Sequence, residues 1–289
     1  MHEINYTDRS FNPNSSEIYS LSVQANTGGL AFSVFDKPAN QVVLFRKYRF
    51  DQVILISDLQ KRITDVLDND DVLGLKFADI RFIGYTRRTT LVPEKYYDAA
   101  SAAKYLSIND GEEPSGSIHS TLISPGIYNV FSLPDEVLSI LSLFFKKVEV
   151  LSQTTTFLKR IVSPDDFTKR VYLGLYPDFF DIACTGPGGL LLYNTFQYAS
   201  ETDLLYYILF VYNMMGFEPG AVPLIISGEQ SSKSTCLDIL RQYFADTIFE
   251  DFSRPVLAQG IKQLNTSSFL NLLIADTCES SVENIKGGR

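Results

Sequence analysis

Tryptophan is absent from this sequence and histidine and cysteine are scarce, with two His and three Cys in 289 residues. Cys184, Cys236 and Cys278 are widely separated, which excludes a zinc-type spacing and indicates no disulfide framework. His2 and His119 are too few and too far apart for a histidine metal site. We therefore expect no metal site, and a cytoplasmic location, because unpaired cysteines are usual in a reducing compartment.

A surplus of basic charge is also missing. The 25 Lys and Arg residues face 34 Asp and Glu, and a net charge of −9 argues against a nucleic-acid partner, which usually requires a basic face. The sequence contains no run of 18 apolar residues, and Val137–Phe145 predicts a core helix rather than a membrane span. The polar N-terminus lacks the pattern of a secretory signal. Hydrophobic residues make up 45%, which is enough for a sizeable core.

The stretch Lys169–Asp203 is the best defined part of the chain. It contains three short apolar runs, Val171–Leu175, Phe179–Cys184 and Leu190–Phe196. Tyr176-Pro177-Asp178 separates the first two runs, and the Gly- and Pro-rich segment Thr185–Gly189 separates the last two. Because Pro fixes φ and Gly accepts positive φ, both breaks predict tight turns. The pattern predicts three antiparallel strands followed by a helix over Glu201–Met215.

The first half of the chain shows the same order. It has apolar runs at Tyr19–Val23, Leu30–Phe35 and Val42–Tyr48, a helical pattern at Ile54–Leu67 and a further strand pattern at Ile80–Tyr85. In the second half, Val222–Ser227 likewise follows the helix. Both halves therefore predict strand, strand, strand, helix, strand, and the period of about 150 residues indicates an internal duplication. Coincidence is the alternative, since β-meanders are common.

These patterns divide the chain into four segments. We expect a loose leader at 1–16, a first lobe at 17–164, a second lobe at 165–276 and a frayed tail at 277–289. The junction is placed at Ser163–Asp166, a polar segment that contains a proline. Further elements are predicted as helices at Glu94–Leu106 and Gln153–Val162, a hairpin at Ile118–Ile123 and Ile127–Phe131, and a last strand at Phe269–Ala275.

Several segments carry a resemblance to a known family. They are Leu21–Val23, Phe32–Asp36, Leu91–Pro93, Val130–Pro134, Asn194–Tyr198 and Asp203–Tyr207. Through them the chain resembles an uncharacterised bacterial family catalogued as domain of unknown function 3822. The two similar halves also resemble the actin-like ATPase superfamily of actin, Hsp70 and sugar kinases. This resemblance implies an α/β protein with two duplicated ribonuclease H-like lobes, an actin-like ATPase fold and mixed sheets flanked by helices.

In that superfamily the nucleotide lies between the lobes, cradled by two hairpins and a Gly-rich turn. The resemblance implies an amide nest at Thr27, Gly28 and Gly29, because backbone N–H groups can bind phosphate. Gly228 matches the first glycine of the adenosine turn, and Glu229 replaces the second. Ser227–Ser234 also resembles a P-loop with serine at both glycine positions, with Lys233 where that motif needs its lysine. A helix start with serine caps is the favoured interpretation of this segment.

Other positions depart from the superfamily's pattern. The two acidic positions, which place metal or water in phosphoryl transfer, fall at Gln24 and Gly174. A glycine position falls at Tyr176 and a hydroxyl position at Phe180, and side chains of this size would fill the space that a phosphate needs. Asp181 alone keeps the pattern near the end of the second hairpin.

We therefore expect a cytoplasmic, non-hydrolysing pseudo-ATPase that acts as an interaction or scaffold protein, with an unknown protein partner and no cofactor. The alternative is an ATP-binding protein or weak ATPase that holds ATP and magnesium between the lobes. Whether the chain is an enzyme stays open at this point. Tyr176 and Phe180 pointing into the cleft would favour the scaffold.

Overall fold

The computed structural model describes residues 2–50, 55–124, 126–162, 168–228, 234–244, 246–250 and 256–277. The strands in these ranges are β1 (His2–Thr7), β2 (Tyr19–Asn26), β3 (Gly29–Asp36), β4 (Gln41–Arg49), β5 (Asp79–Gly84), β6 (Thr89–Pro93), β7 (Ser117–Ser124), β8 (Ile127–Leu133), β9 (Glu149–Ser152), β10 (Arg170–Leu175), β11 (Phe179–Gly186), β12 (Gly189–Gln197), β13 (Leu224–Ser227), β14 (Thr247–Phe249) and β15 (Val256–Leu257). The α-helices are α1 (Ile56–Asn69), α2 (Ala102–Asp110), α3 (Asp135–Phe144), α4 (Gln153–Ile161), α5 (Glu201–Met215), α6 (Ser234–Tyr243) and α7 (Leu270–Leu273).

The strands form three sheets. The large sheet has the order β1-β4-β3-β2-β5-β9, with β15 also paired to β4. The small sheet has the order β6-β8-β7, and the five-stranded sheet has the order β12-β11-β10-β13-β14. The protein is therefore a mixed α/β structure, as predicted. No helix in the described ranges has both the length and the apolar character needed to cross a bilayer.

The predicted order of elements in the two halves is confirmed. In the large sheet β2, β3 and β4 are antiparallel, α1 follows, and β5 returns parallel to β2. In the five-stranded sheet β10, β11 and β12 are antiparallel, α5 follows, and β13 returns parallel to β10. Each sheet packs its helices over a core of its own, one around Phe32 and Ile63 and the other around Phe180 and Ile208.

Two expectations about the ends of the chain are wrong. Residues 2–7 of the expected leader are strand β1, which pairs with β4 and closes one edge of the large sheet. At the other end, β15 pairs in parallel with β4, although the second lobe was expected to extend to residue 276. Leu272 and Leu273 then pack against Phe45 and other side chains of the large sheet. The C-terminal part of the chain thus returns to the first half because its apolar side chains complete that core.

The secondary structure of two further segments also differs from prediction. The expected last strand at Phe269–Ala275 is a 3-10 helix over Thr266–Phe269 that continues into α7 and a second 3-10 turn over Ala275–Thr277. The expected helix at Glu94–Leu106 begins as short 3-10 turns and becomes α2 only at Ala102. The predicted junction at Ser163–Asp166 and the tail beyond residue 277 lie outside the described residues.

Candidate functional site

A cleft separates the large sheet from the five-stranded sheet at the point where their first hairpins meet. Its volume is about 270 Å³. The end of β2 and the turn after it contribute Asn26 and Thr27 to one wall, and the turn after β10 with the start of β11 contributes Pro177, Asp178 and Phe179 to the opposite wall. The remaining wall is mostly apolar and comprises Ala25, Leu59, Phe82, Gly84, Tyr85, Thr86, Arg87, Leu133, Pro134 and Val137. Of the predicted nucleotide-binding residues that the structure describes, Thr27 alone lines this cleft.

Backbone N–H groups of the first hairpin turn are hydrogen-bonded within the turn. The backbone N–H groups of Gly28 and Gly29 donate to the side-chain oxygen Oδ1 of Asn26, at 2.7 and 3.1 Å. These are two of the three amides, those of Thr27, Gly28 and Gly29, that were predicted to receive phosphate. An anion at this turn would therefore have to displace the Asn26 carboxamide, because a backbone N–H has a single donor proton.

Gly228 lies in a second, much smaller cavity of about 10 Å³, which is close to the space of a single water molecule. Its φ of 102° is accessible to glycine and strained for other residues. Its N–H donates to the carbonyl oxygen of Ser267 at 2.8 Å, so the turn after β13 binds the C-terminal segment. Residues 268–271 fill most of the remaining wall. The other two predicted residues of this turn, Glu229 and Lys233, lie outside the described residues.

Two tyrosines divide the space between the sheets. Tyr85 lines both cavities, and its ring meets that of Tyr176 edge to face with centroids 5.1 Å apart. Tyr176 is 2% exposed, and its hydroxyl oxygen accepts a hydrogen bond from Nδ2 of Asn271 at 3.1 Å. A Cβ at Gly174 would lie 2.8 Å from the same hydroxyl, so Tyr176 occupies the space beside β10. The cleft at Thr27 and the cavity at Gly228 are therefore separate.

Phe180 does not share this position, contrary to the expectation that it would fill the cleft. It lies in the core under α5, where its ring is 5.5 Å from that of Phe196 and 6.4 Å from that of Tyr207. Alternate residues of a strand point to opposite faces, so Phe180 faces α5 and its neighbours Phe179 and Asp181 face the other side. Tyr176 lines the smaller cavity, and Phe180 lies on the face opposite to the one expected.

Asp181 is fully buried on the face of β11 that is directed toward α4. Its oxygen Oδ1 accepts hydrogen bonds from the hydroxyl groups of Tyr193 at 2.8 Å and Thr195 at 2.7 Å. Oδ2 accepts from Nε2 of Gln153 at 3.4 Å. Burial raises the pKa of Asp181 to about 6, against the opposing effect of these donors, which favour the charged carboxylate.

Helix α4 connects the two sides of the cleft through polar side chains that are themselves buried. Gln153 donates to the carbonyl of Thr86 at 2.7 Å and accepts from the same residue's N–H at 3.0 Å, while also reaching Asp181. Thr154 lies 2.8 Å from the hydroxyl of Tyr193, and Thr155 accepts from Asn129 of the small sheet. A helix was predicted over Gln153–Val162, but its contacts with both sheets were not. The sequence feature that could have indicated buried contacts is the run of three threonines, because threonine is a poor helix former and is unusual in an exposed helix.

The other end of α4 is bound to the five-stranded sheet by charge. Nε of Arg160 lies 3.0 Å from a carboxylate oxygen of Glu250, and the guanidinium also donates to the hydroxyl of Ser227 at 3.1 Å. The Arg160 side chain is 1% exposed. Burial raises the pKa of Glu250, and Arg160 opposes that shift by stabilising the charged form. In the described ranges no three His, Cys, Asp or Glu side chains come close enough together to hold a metal ion.

The Asp181 carboxyl makes a testable contribution to pH dependence. Its pKa in the native state, about 6, is above the ordinary aspartate value of 3.8, so the native state binds more protons between these two values. The free energy of unfolding should therefore fall as pH rises from 4 to 6, by on the order of 2 kcal/mol from this group. Urea denaturation at several pH values should show this fall in the native protein and a flatter profile in Asp181→Asn. Asp178→Asn, at an exposed carboxylate of the same hairpin, should leave the profile unchanged. Parallel profiles for the native protein and Asp181→Asn would contradict the assignment.

Comparison with known proteins gives one family and several solved structures. The model of the family described as "Protein of unknown function (DUF3822)" matches residues 8–247. A crystal structure from Bacteroides thetaiotaomicron VPI-5482, of a protein with actin-like ATPase fold and unknown function, is similar with a TM-score of 0.78 and 19% identity. That similarity covers 93% of this chain and 99% of the other. No curated protein sequence matches significantly.

Two further structures are similar at lower identity. PilM, in a PilM–PilN type IV pilus biogenesis complex, has a TM-score of 0.53 and 10% identity over 90% of this chain and 98% of the other. The ethanolamine utilization protein EutJ from Carboxydothermus hydrogenoformans has a TM-score of 0.50 and 7% identity over 92% and 91%. Together the structures confirm the predicted actin-like ATPase fold.

Proposed function

The chain belongs to the family described as "Protein of unknown function (DUF3822)", and we propose that it is a non-hydrolysing interaction or scaffold protein with a degenerate actin-like ATPase fold. The family model covers most of the chain, and the fold is that of actin-like ATPases. Beyond the family and the fold, we propose that the nucleotide site has been lost and that binding to another protein is the retained activity. The proposed setting is the bacterial cytoplasm.

The division of the cleft by Tyr85 and Tyr176 is the observation that carries the proposal. Pockets for ligands of the size of a nucleotide usually measure about 300–1,000 Å³. Here the space is split into cavities of about 270 and 10 Å³, and Gly228 lies in the smaller one. The positions of the two acidic groups hold Gln24 and Gly174, so carboxylates that could place magnesium or an attacking water are missing there.

The shared element order of the two sheets supports an internal duplication of a ribonuclease H-like lobe. Three antiparallel strands, a helix and a parallel strand occur in each half. After such a duplication the second copy could lose catalytic groups and the fold would persist, because the sheets and their cores do not depend on them. In this proposal the bridging helix α4 and the C-terminal segment hold the two copies in a fixed arrangement.

A protein partner is proposed because fold relatives include a member of an assembly. PilM is part of a type IV pilus biogenesis complex with PilN. At 10% identity that likeness concerns the fold, and the partner of this chain is unidentified. A fixed arrangement of the two lobes would suit a docking surface, since a pre-organised surface loses little conformational entropy on binding.

An ATP-binding protein or weak ATPase is the second candidate. The cleft of about 270 Å³ favours it, because this space lies between the two hairpin turns and includes Thr27. In this alternative the phosphates would displace Asn26 from the amides of Gly28 and Gly29. Magnesium would accompany the nucleotide.

A thermal-shift titration with ATP or ADP and magnesium separates the two candidates. A ligand at 100 times its dissociation constant stabilises the native state by about 2.7 kcal/mol, which raises the melting temperature measurably. We expect no change at millimolar nucleotide. Thr27→Glu is the matched control, because this exposed residue tolerates substitution and a carboxylate there would repel phosphate. A rise in melting temperature that Thr27→Glu abolishes would overturn the proposal in favour of the second candidate.

A further inference from the structure

A large groove lies at the edge of the large sheet that is opposite to β1, and its volume is about 1,090 Å³. Three segments line it: residues 74–81, which lead into β5, residues 144–150, which lead from α3 into β9, and residues 119–121 of β7. Pockets for small molecules usually measure about 300–1,000 Å³. The groove therefore has room for a longer occupant.

Positive charge is concentrated along this groove, although the whole chain carries a net charge of −9. Lys76, Lys146 and Lys147 are exposed and belong to its lining. Within the described residues none of the three is within ion-pair distance of a carboxylate. Glu17 is the acidic residue of the lining that is likewise exposed and unpaired there. Cations thus outnumber anions among the charges that an occupant would meet.

The other acidic groups of the lining are already paired with basic ones. The carboxylate of Asp79 accepts a hydrogen bond from Lys37. Oε2 of Glu149 accepts one from Nε of Arg81 at 3.0 Å, and Arg81 also pairs with Asp276, whose side chain is only 4% exposed. These carboxylates are bound within the protein, so they do not compete for the three lysines.

Apolar side chains alternate with the lysines along the two loops of the groove. They are half-buried, because they pack on the core of the large sheet and also line the groove: Leu75, Phe77, Phe144, Val148 and Val150. A purely ionic ligand would leave this apolar surface in water. An occupant that carries both acidic and apolar side chains would cover it and face the lysines as well.

Strand edges also contribute to the lining. Side chains of consecutive strand residues point to opposite faces, so the three consecutive residues His119–Thr121 can line one groove only if the edge of β7 is turned toward it. Strands β7 and β9 are each the outermost strand of a sheet. Backbone groups at a sheet edge are suited to contacts with the main chain of an extended peptide.

We propose that this groove binds an extended segment of a partner protein in which acidic side chains are interspersed with apolar ones. The inference rests on the proposed scaffold function, because it names the class of partner that the scaffold holds. A nucleic acid is a poorer match, since the chain is acidic overall and three lysines can neutralise few phosphates. A lipid surface would reach the exposed lysines and leave the half-buried apolar side chains uncovered.

Fluorescence anisotropy with labelled peptides tests this inference. The probe is a fluorescein-labelled peptide of about ten residues in which Glu alternates with Leu and Phe, a length suited to an extended segment. In a second peptide Gln replaces each Glu. We expect saturable binding of the acidic probe, at least about tenfold tighter than that of the Gln peptide. The difference should shrink as NaCl rises from about 0.05 to 0.5 M, because salt screens exposed charges.

Charge reversal in the groove provides the matching test on the protein. Lys146→Glu combined with Lys147→Glu should weaken binding of the acidic probe by about tenfold or more. Both residues are exposed, so the far-UV circular dichroism spectrum should stay unchanged. Lys262→Glu is the matched control, since this exposed lysine follows the turn Gln259–Ile261, which is hydrogen-bonded to Asp8 beside β1 at the other edge of the sheet. Its affinity for the probe should equal that of the native protein.

Three results would overturn the inference. They are no binding of the acidic probe, equal affinity for the acidic and Gln peptides, and a Lys262→Glu control that loses as much affinity as the groove variant. Single-stranded DNA or phosphatidylglycerol vesicles that bind in place of the peptide, and lose binding in the groove variant, would assign the groove to that class of ligand instead.

The scaffold proposal has a separate readout in the nucleotide titration. An absent peptide complex without a nucleotide-dependent thermal shift would end the groove assignment and leave the scaffold proposal in place. A nucleotide-dependent shift that Thr27→Glu abolishes would end the scaffold proposal whether or not the peptide binds.

Discussion

Replacing Gly228 by alanine is expected to lower the free energy of unfolding by about 2–5 kcal/mol. The φ of 102° strains any residue with a Cβ, and a Cβ at this position would overlap the backbone carbonyl oxygen of Leu175. The overlap is with backbone, so rotation of a side chain cannot relieve it. Urea denaturation monitored by far-UV circular dichroism would measure the loss.

Substitutions at two other glycines distinguish backbone strain from steric overlap as the cause of this loss. Gly216 also has a positive φ, 63°, but a Cβ there meets nothing within 4 Å, so Gly216→Ala should cost only about 1 kcal/mol from backbone strain. Gly220 has open space around it and no positive φ, so Gly220→Ala should change stability by less than about 0.5 kcal/mol. If Gly228→Ala were no worse than Gly216→Ala, the close approach to Leu175 would not be tight in solution. A large loss would also mean that substitutions at Gly228 cannot serve to test nucleotide binding.

Truncating Tyr176 to alanine is expected to cost about 3–5 kcal/mol, as for other large buried rings, because it removes a fully packed side chain and leaves a cavity. The lost contacts include the edge-to-face pair with Tyr85, the ring of Phe179 at 4.7 Å and the hydrogen bond from Asn271. The space that the phenol occupied would join the cleft at Thr27 to the cavity at Gly228. Chemical denaturation measures the stability, and a crystal structure would show the joined space.

Tyr176→Phe is the matched control for this truncation. It keeps the ring and removes the hydroxyl, which leaves Nδ2 of the buried Asn271 without that acceptor and should cost about 1–3 kcal/mol. If the alanine and phenylalanine variants were equally stable, the ring would not be packed as described. Nucleotide binding that appears only in Tyr176→Ala would identify the tyrosine as the group that closes an otherwise competent cleft.

Gly228 and Tyr176 both lie at the junction between the five-stranded sheet and the C-terminal segment. Gly228 binds Ser267, and Tyr176 binds Asn271 four residues later, so both attach the C-terminal segment to the five-stranded sheet. That segment also packs on the large sheet through Leu272 and Leu273. The turn at Gly228, which the resemblance to actin-like ATPases assigns to the adenosine, is thus bound by contacts within the chain. This arrangement supports the scaffold proposal.

Local sequence patterns alone determined much of the fold. Tyr176-Pro177-Asp178 and the glycines at 186–189 produced the two turns that join β10, β11 and β12, because turn formation depends on the φ preferences of a few adjacent residues. Helix α5 begins where its capping box predicts, with Ser200 and Asp203 bonding each other's backbone N–H groups. The order of strands and helices followed from patterns of this local kind, and the actin-like fold was implied by the resemblance of that order to the superfamily.

Contacts between distant segments depended on tertiary structure. The periodicity of β11 could not show which face would meet α5, so Phe180 was placed in the cleft although it lies in a core. The return of the C-terminal segment to the large sheet, and the burial of Gln153 with three threonines between the sheets, involve partners far away in the chain. A sequence specifies such contacts only through the combined packing of many side chains, and no local pattern records which apolar segment completes which core.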